Sequence, residues 1–141
     1  MLTIQDATII VDAALAESER LGLQPLCVAV LDPGAHLLAL KRDHRASISR
    51  PAIAIAKAAG CLAMGFGGRE IARRAQGAPA FYAALGGVLP SGILPVPGGV
   101  LVRDADGAIV GAVGISGDTG DNDEACALVA IGASGQVGDA G

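Results

Sequence analysis

The apolar positions of this chain change period several times, and each change marks an element. Ile4, Ala7, Ile10, Val11, Ala14, Leu15 and Leu21 recur at helical spacing. Thr3 precedes them with Asp6 three residues on, the two halves of a capping box, so a helix is predicted over roughly 3–21. Gly22 ends it. Leu26 to Leu31 reads as a nearly continuous apolar strand, Asp32-Pro33-Gly34 supplies the residues of a type II turn, and His36 to Lys41 returns as a second strand. A second helix begins near Ser49 with Pro51 in its first turn, where the missing N–H is harmless, and Gly60 weakens its end. After the Gly65-Phe66-Gly67-Gly68 break come a short basic helix, Arg69 to Gln76, and another over Pro79 to Leu85. Gly86 to Gly99 is dense in Gly and Pro, with Ile93 to Val96 read as an edge strand, where Pro is tolerated.

The last third repeats an earlier plan. Gly99 to Arg103, the turn Asp104-Ala105-Asp106-Gly107 and Ile109 to Ser116 form a second hairpin of the same layout: apolar run, Asp, Gly turn, apolar run. Asp121, with Glu124 three residues later, opens a final helix in which Ala125, Leu128 and Val129 share a face. The strands are too apolar to leave one face wet, so helices must cover the sheet. The expectation is an α+β fold: an antiparallel sheet of about five strands, built from two hairpins and flanked by helices. Residues 1–131 are read as one domain and 132–141 as a flexible tail.

Composition narrows the function classes. Of 141 residues 52% are apolar and 17% charged, which is a foldable body rather than a disordered one. A net charge of −4 and only three aromatic residues, Phe66, Phe81 and Tyr82, argue against a nucleic-acid surface. No apolar run reaches bilayer length, and the start lacks the basic and apolar regions of a secretory signal, so a cytoplasmic protein with no membrane partner is expected. Cys27, Cys61 and Cys126 are odd in number, far apart and set among small apolar residues, as buried thiols are. No phosphate loop, dinucleotide fingerprint or Ser-His-Asp order is present.

Three places hold residues with chemistry. Lys41-Arg42-Asp43-His44-Arg45 is either a solvated charged loop or an anion-capturing arm, in which Arg42 and Lys57 pair with a carboxylate and His44 serves as acid, base or metal ligand. Ser116 to Glu124 packs four carboxylates and two hydroxyls into nine residues. These carboxylates cap a helix, ligate a hard cation or, with Gly117, leave helix N–H groups for an anion, although EF-hand spacing is absent. Gly98-Gly99 offers backbone amides to a ligand or simply makes a bulge. His36, just past a hairpin turn, is read as an exposed turn residue.

Val28 to Arg42 (VAVLDPGAHLLALKR), Ala54 to Ala58 (AIAKA) and Pro97 to Glu124 (PGGVLVRDADGAIVGAVGISGDTGDNDE) together resemble the GlcG/HbpS-like family, which includes the C-terminal domain of PduO-type proteins. The resemblance implies a profilin-like antiparallel sheet flanked by helices, assembly into dimers or larger rings, and haem binding in some members. Leu101 stands where the family pattern has Pro, and Ala-Ala-Gly-Cys follows Lys57 where it carries a Thr. As haem iron ligands the resemblance leaves His44 and Thr119, the imidazole being the better of the two.

Two functions are therefore expected. The first is a homo-oligomer that binds haem or a related anionic molecule in a cleft made by Arg42, His44, Lys57, Gly98, Gly99, Ser116 and Thr119. The alternative is a cofactor-independent isomerase, tautomerase or lyase acting on a small carboxylate, with His44 or Glu124 moving the proton. Few charges are available to cover so small a domain, so exposed apolar area is expected to become an interface between copies.

Overall fold

Alternation along the strands sorts side chains of unlike size onto the two faces of one sheet. A computed structural model describes all 141 residues. In chain order it contains α1 (Ile4–Leu21), β1 (Cys27–Leu31), β2 (Leu37–Arg42), α2 (Arg50–Met64), α3 (Gly68–Gly77) and α4 (Pro79–Leu85). These are followed by β3 (Gly99–Arg103), β4 (Ile109–Ser116), α5 (Gly120–Ala133) and β5 (Val137–Asp139). The sheet is antiparallel throughout, in the order β2-β1-β4-β3-β5. This is the expected α+β architecture.

Branched residues fill one face: Val28, Val30, Val100, Val113 and Ile115 pack against α1 and α5. The other face carries Cys27, Ala29, Gly99, Ala112 and Gly114 beside Leu31 and Leu101, and α2 lies almost directly on the backbone at the glycines. A Cβ on Gly114 would collide with the Ala54 carbonyl, and one on Gly99 would lie 2.5 Å from the Lys57 carbonyl. So close a seat buries Ala54, Ala58 and Cys61 completely. The capping box of α1 is formed as expected, Thr3 accepting from Asp6 N and Asp6 from Thr3 N.

Both hairpins turn in the same way. Asp32 O accepts from Ala35 N, and Asp32 Oδ1 from Gly34 N and His36 N. Asp104 does the same for Gly107, Asp106 and Ala108. The left-handed residue is the fourth, Ala35 at φ 65° and Gly107 at φ 84°, so Asp32-Pro33-Gly34 is not the type II turn expected. Bonding by the Asp carboxylate to two later amides fixes this geometry.

Three further expectations change. Helix α2 runs through Gly60 to Met64, because Ile93 occupies the space of a side chain at 60; a Cβ there would meet Ile93 Cγ1 at 2.6 Å. Ile93 to Val96 is consequently not a strand, since Ile93 turns onto α2 and Pro95 has no N–H to give. The fifth strand is β5, within the stretch read as a flexible tail. It pairs with β3 from Leu101↔Asp139 to Arg103↔Val137, and Arg103 Nε donates to Asp139 Oδ2 at 2.9 Å. Ala140 O then accepts from Arg69 N. No single helix is long and apolar enough to cross a membrane.

Candidate functional site

Lys57 leaves α2 in the middle of an apolar helix and is almost wholly buried. Its Nζ passes the end of the sheet and donates to Ile115 O at 2.9 Å and to Asp123 Oδ2 on α5 at 3.0 Å. Asp123 Oδ1 accepts from Asp118 N, so both carboxylate oxygens are engaged, and the pair is buried, at 6% and 1% side-chain exposure. Burial pushes the Asp123 carboxyl up, and the Lys57 ammonium opposes it. Gly98, at φ 119°, roofs the ammonium; a Cβ there would lie 2.7 Å from Nζ. The Gly98-Gly99 notch is therefore filled by this chain's own Lys57 and α2.

The acidic run resolves into caps and pairs. Thr119, rather than Asp121, is the N-cap of α5 and accepts from Asn122 N at 3.2 Å. Asp118 accepts from Gln24 N, Thr119 N and Asn122 Nδ2, which hold its carboxyl below the usual range. Asp121 and Glu124 both bind the Arg69 guanidinium of α3. No group of three or more His, Cys, Asp or Glu side chains is arranged to hold a metal ion. Ser116, fully buried, accepts from Arg50 Nη1 at 3.0 Å.

The cationic arm follows β2 at the sheet edge. Arg42 folds back onto its own loop and donates to Ala46 O at 2.7 Å. Arg45 grips Asp43, which holds that carboxyl well below the carboxylate range, and Lys41 Nζ bonds Asp12 at 2.7 Å. Together with the end of α1 these residues line a cleft of about 460 Å³ that includes Leu23, Pro25 and Leu26. The His44 ring stands outside it, 91% exposed and 3.6 Å from Asp43.

A second cleft, of about 470 Å³, opens at the other end of β2 and on the α2 side of the sheet. Its walls are the β1–β2 turn (Pro33 to His36), Ala59, Leu62 and Ala63 of α2, and Leu89 to Gly92 laid across them. His36 borders it. The only hydrogen bonds His36 makes are through its backbone, so both ring nitrogens are uncommitted. The ring lies over Gly34, where a Cβ would sit 3.0 Å from Cδ2 and 3.1 Å from Nε2.

The structure thus brings Lys57, Gly98 and Gly99 together, but as a closed knot, with Ser116 on the neighbouring strand. It leaves Arg42 and His44 on the β2 edge and Glu124 on the β3–β5 side, tied to Arg69. Thr119 is exposed and occupied as a cap. The residue passed over was His36. Its signal was its place directly after a Gly turn in a chain with two histidines, ahead of an Ala-rich helix and a Gly/Pro run that folds over it. The three thiols are all buried; burial pushes Cys27 and Cys126 up to about 11 and Cys61 up to about 12, so none is a nucleophile at neutral pH.

A family model described as haem degrading protein HbpS-like matches residues 2–132. The chain belongs to the HbpS-like family. Among solved structures, this HbpS-like chain is similar to PduOC in its heme complex (26% identity, 94% of each chain covered, TM-score 0.82). It is also similar to Klebsiella pneumoniae protein ORFY (25% identity, 95% of this chain and 90% of that one, TM-score 0.84). A double mutant of Streptomyces reticuli HbpS shares 30% identity over 93% of this chain and 85% of its own, with a TM-score of 0.80. No curated protein matches.

Proposed function

We propose that this HbpS-like protein is a binding protein for haem or a closely related planar molecule. Its family and the heme complex of PduOC support the ligand class. The observation that carries the reading here is an apolar cleft of about 470 Å³ with an uncommitted imidazole at its border. That volume falls within the roughly 300–1,000 Å³ of small-molecule sites. Methyl, Leu and Pro surfaces suit a macrocycle face, and a neutral imidazole suits haem iron. The residues present fit the group: Leu62, Leu89 and Pro90 would hold the plane, and His36 would take the iron. The iron would supply redox and oxygen chemistry; the chain supplies an apolar wall and one imidazole. His44, in water without an apolar wall, fits an iron within one subunit poorly.

One cluster favours the second reading, an isomerase, tautomerase or lyase for a small carboxylate: Lys41, Arg42 and Arg45 around the basic cleft. His44 and Glu124 sit at opposite sides of the sheet, so a single proton shuttle there would rest on His44 alone. Self-association completes the proposal. Ala125, Leu128, Val129, Gly132 and Ala133 make an exposed, uncharged stripe on α5 beside exposed Val137, a surface suited to a second copy.

Titration with ferric haemin tests the function. Expected is a sharpened, shifted Soret band saturating at one haemin per chain; a broad, non-saturating change overturns it. Size exclusion with light scattering tests assembly, and a monomer at micromolar concentration would remove that part.

A further inference from the structure

Resting on the haem reading, we infer that the apolar cleft recognises a tetrapyrrole by its macrocycle and metal alone, His36 being its one metal ligand, and leaves the carboxylates in water.

The first support is the wall. Its only polar side chains are His36 and Ser91, and it contains no Lys, Arg, Asp or Glu. A carboxylate laid against this wall would give up part of its water and meet no cation, whereas one directed outward keeps its hydration. The remaining orientation is carboxylates outward, with the opposite, apolar edge of the ring leading.

The second support is the state of the cations. The chain has ten Lys and Arg side chains, and each already donates within the chain to a carboxylate, a carbonyl or a hydroxyl. None of the ten lines the apolar cleft. Lys57 is sealed beneath Gly98, and Arg42 and Arg45 belong to the cleft at the far end of β2.

The third support is how His36 is held. Asp32 Oδ1 takes both Gly34 N and His36 N, which fixes the backbone beneath the ring, while the ring itself is engaged by nothing. Ala35 lies beside it in a left-handed conformation where the equivalent place in the other hairpin uses Gly107. Its methyl, retained at that backbone cost, lies in the cleft wall.

The test compares haemin, haemin dimethyl ester and free imidazole on the whole chain, followed by the Soret band. Expected is saturation by the ester within about threefold of haemin, since the esterified groups stay outside. His36→Ala, an exposed position, should lose roughly tenfold in affinity and the shifted band, and added imidazole should restore the band. An ester weaker by more than that margin, or a His36→Ala protein with unaltered spectrum and affinity, overturns the inference and leaves haem binding standing. A wild-type chain that gives no saturable haemin spectrum removes both.

Discussion

At the turn end of β2 a cleft of about 470 Å³ has walls of Ala, Leu and Pro and an imidazole that bonds nothing, whereas at its far end one of about 460 Å³ gathers three cations that are all engaged. Volume does not separate them; the state of the polar groups does. In the basic cleft a ligand anion must compete with Asp12, Asp43 and a loop carbonyl for cations that are already partly neutralised and well exposed, so its net gain is small. In the apolar cleft a ligand adds contacts where none existed. A cluster of charges is the louder signal in sequence, and here it is the one already spent on the fold.

The largest expected effect tests the third cation-bearing place, which belongs to neither cleft. Lys57→Ala strands Asp123 in the core, so urea denaturation should show a loss of about 3–5 kcal/mol. Replacing both, Lys57→Met with Asp123→Leu, should recover most of it. A loss under about 1 kcal/mol in the single variant would mean the ammonium is spare and free to serve a ligand. Ala35→Gly sharpens the hairpin contrast: relief of the left-handed backbone should outweigh the added chain entropy, raising stability by about 0.5–1 kcal/mol in the same assay.

Arg42→Ala with Arg45→Ala tries to break the comparison from the other side. Haemin affinity should move by less than about twofold; a greater loss would transfer the site to the basic end. The smallest effect is in pH. Arg45 holds the Asp43 carboxyl below its ordinary 3.8, so its stabilising contribution is full above that value and is lost only as pH falls through the depressed folded one. Protection factors of the Asp43, Arg45 and Ala46 amides, exchange rates taken relative to the unprotected rate at each pH, should hold from neutrality to about pH 4 and fall only in stronger acid.

Much of the fold was legible because its signals are local. Thr3 and Asp6 announce α1, the two Asp-Gly turns announce the hairpins, and uninterrupted apolar strands require helices on both faces. Strand β5 was hidden because three residues of Val, Gly and Asp carry no period. Turn type was missed because Gly34 looks like the left-handed residue, while the Asp32 carboxylate moves that burden to Ala35. For the site, Lys57 and Asp123 are 66 residues apart, and nothing local says that one lysine in an Ala-rich helix will find that carboxylate rather than a substrate. The two histidines both sit in polar loops. Both are exposed, and only the packing of Leu89 to Gly92 over α2, allowed where Ile93 meets Gly60, sets an apolar cleft beside His36, while His44 has none.

The location of the ligand is tested most directly by paramagnetic broadening of backbone amide resonances on adding one equivalent of ferric haemin. Signals from residues 34–36, 59–63, 89, 91 and 92 should vanish while those from 41–45 persist. Loss of the 41–45 signals, with the His36 turn unaffected, would place the ligand at the basic end of β2 and contradict the assignment.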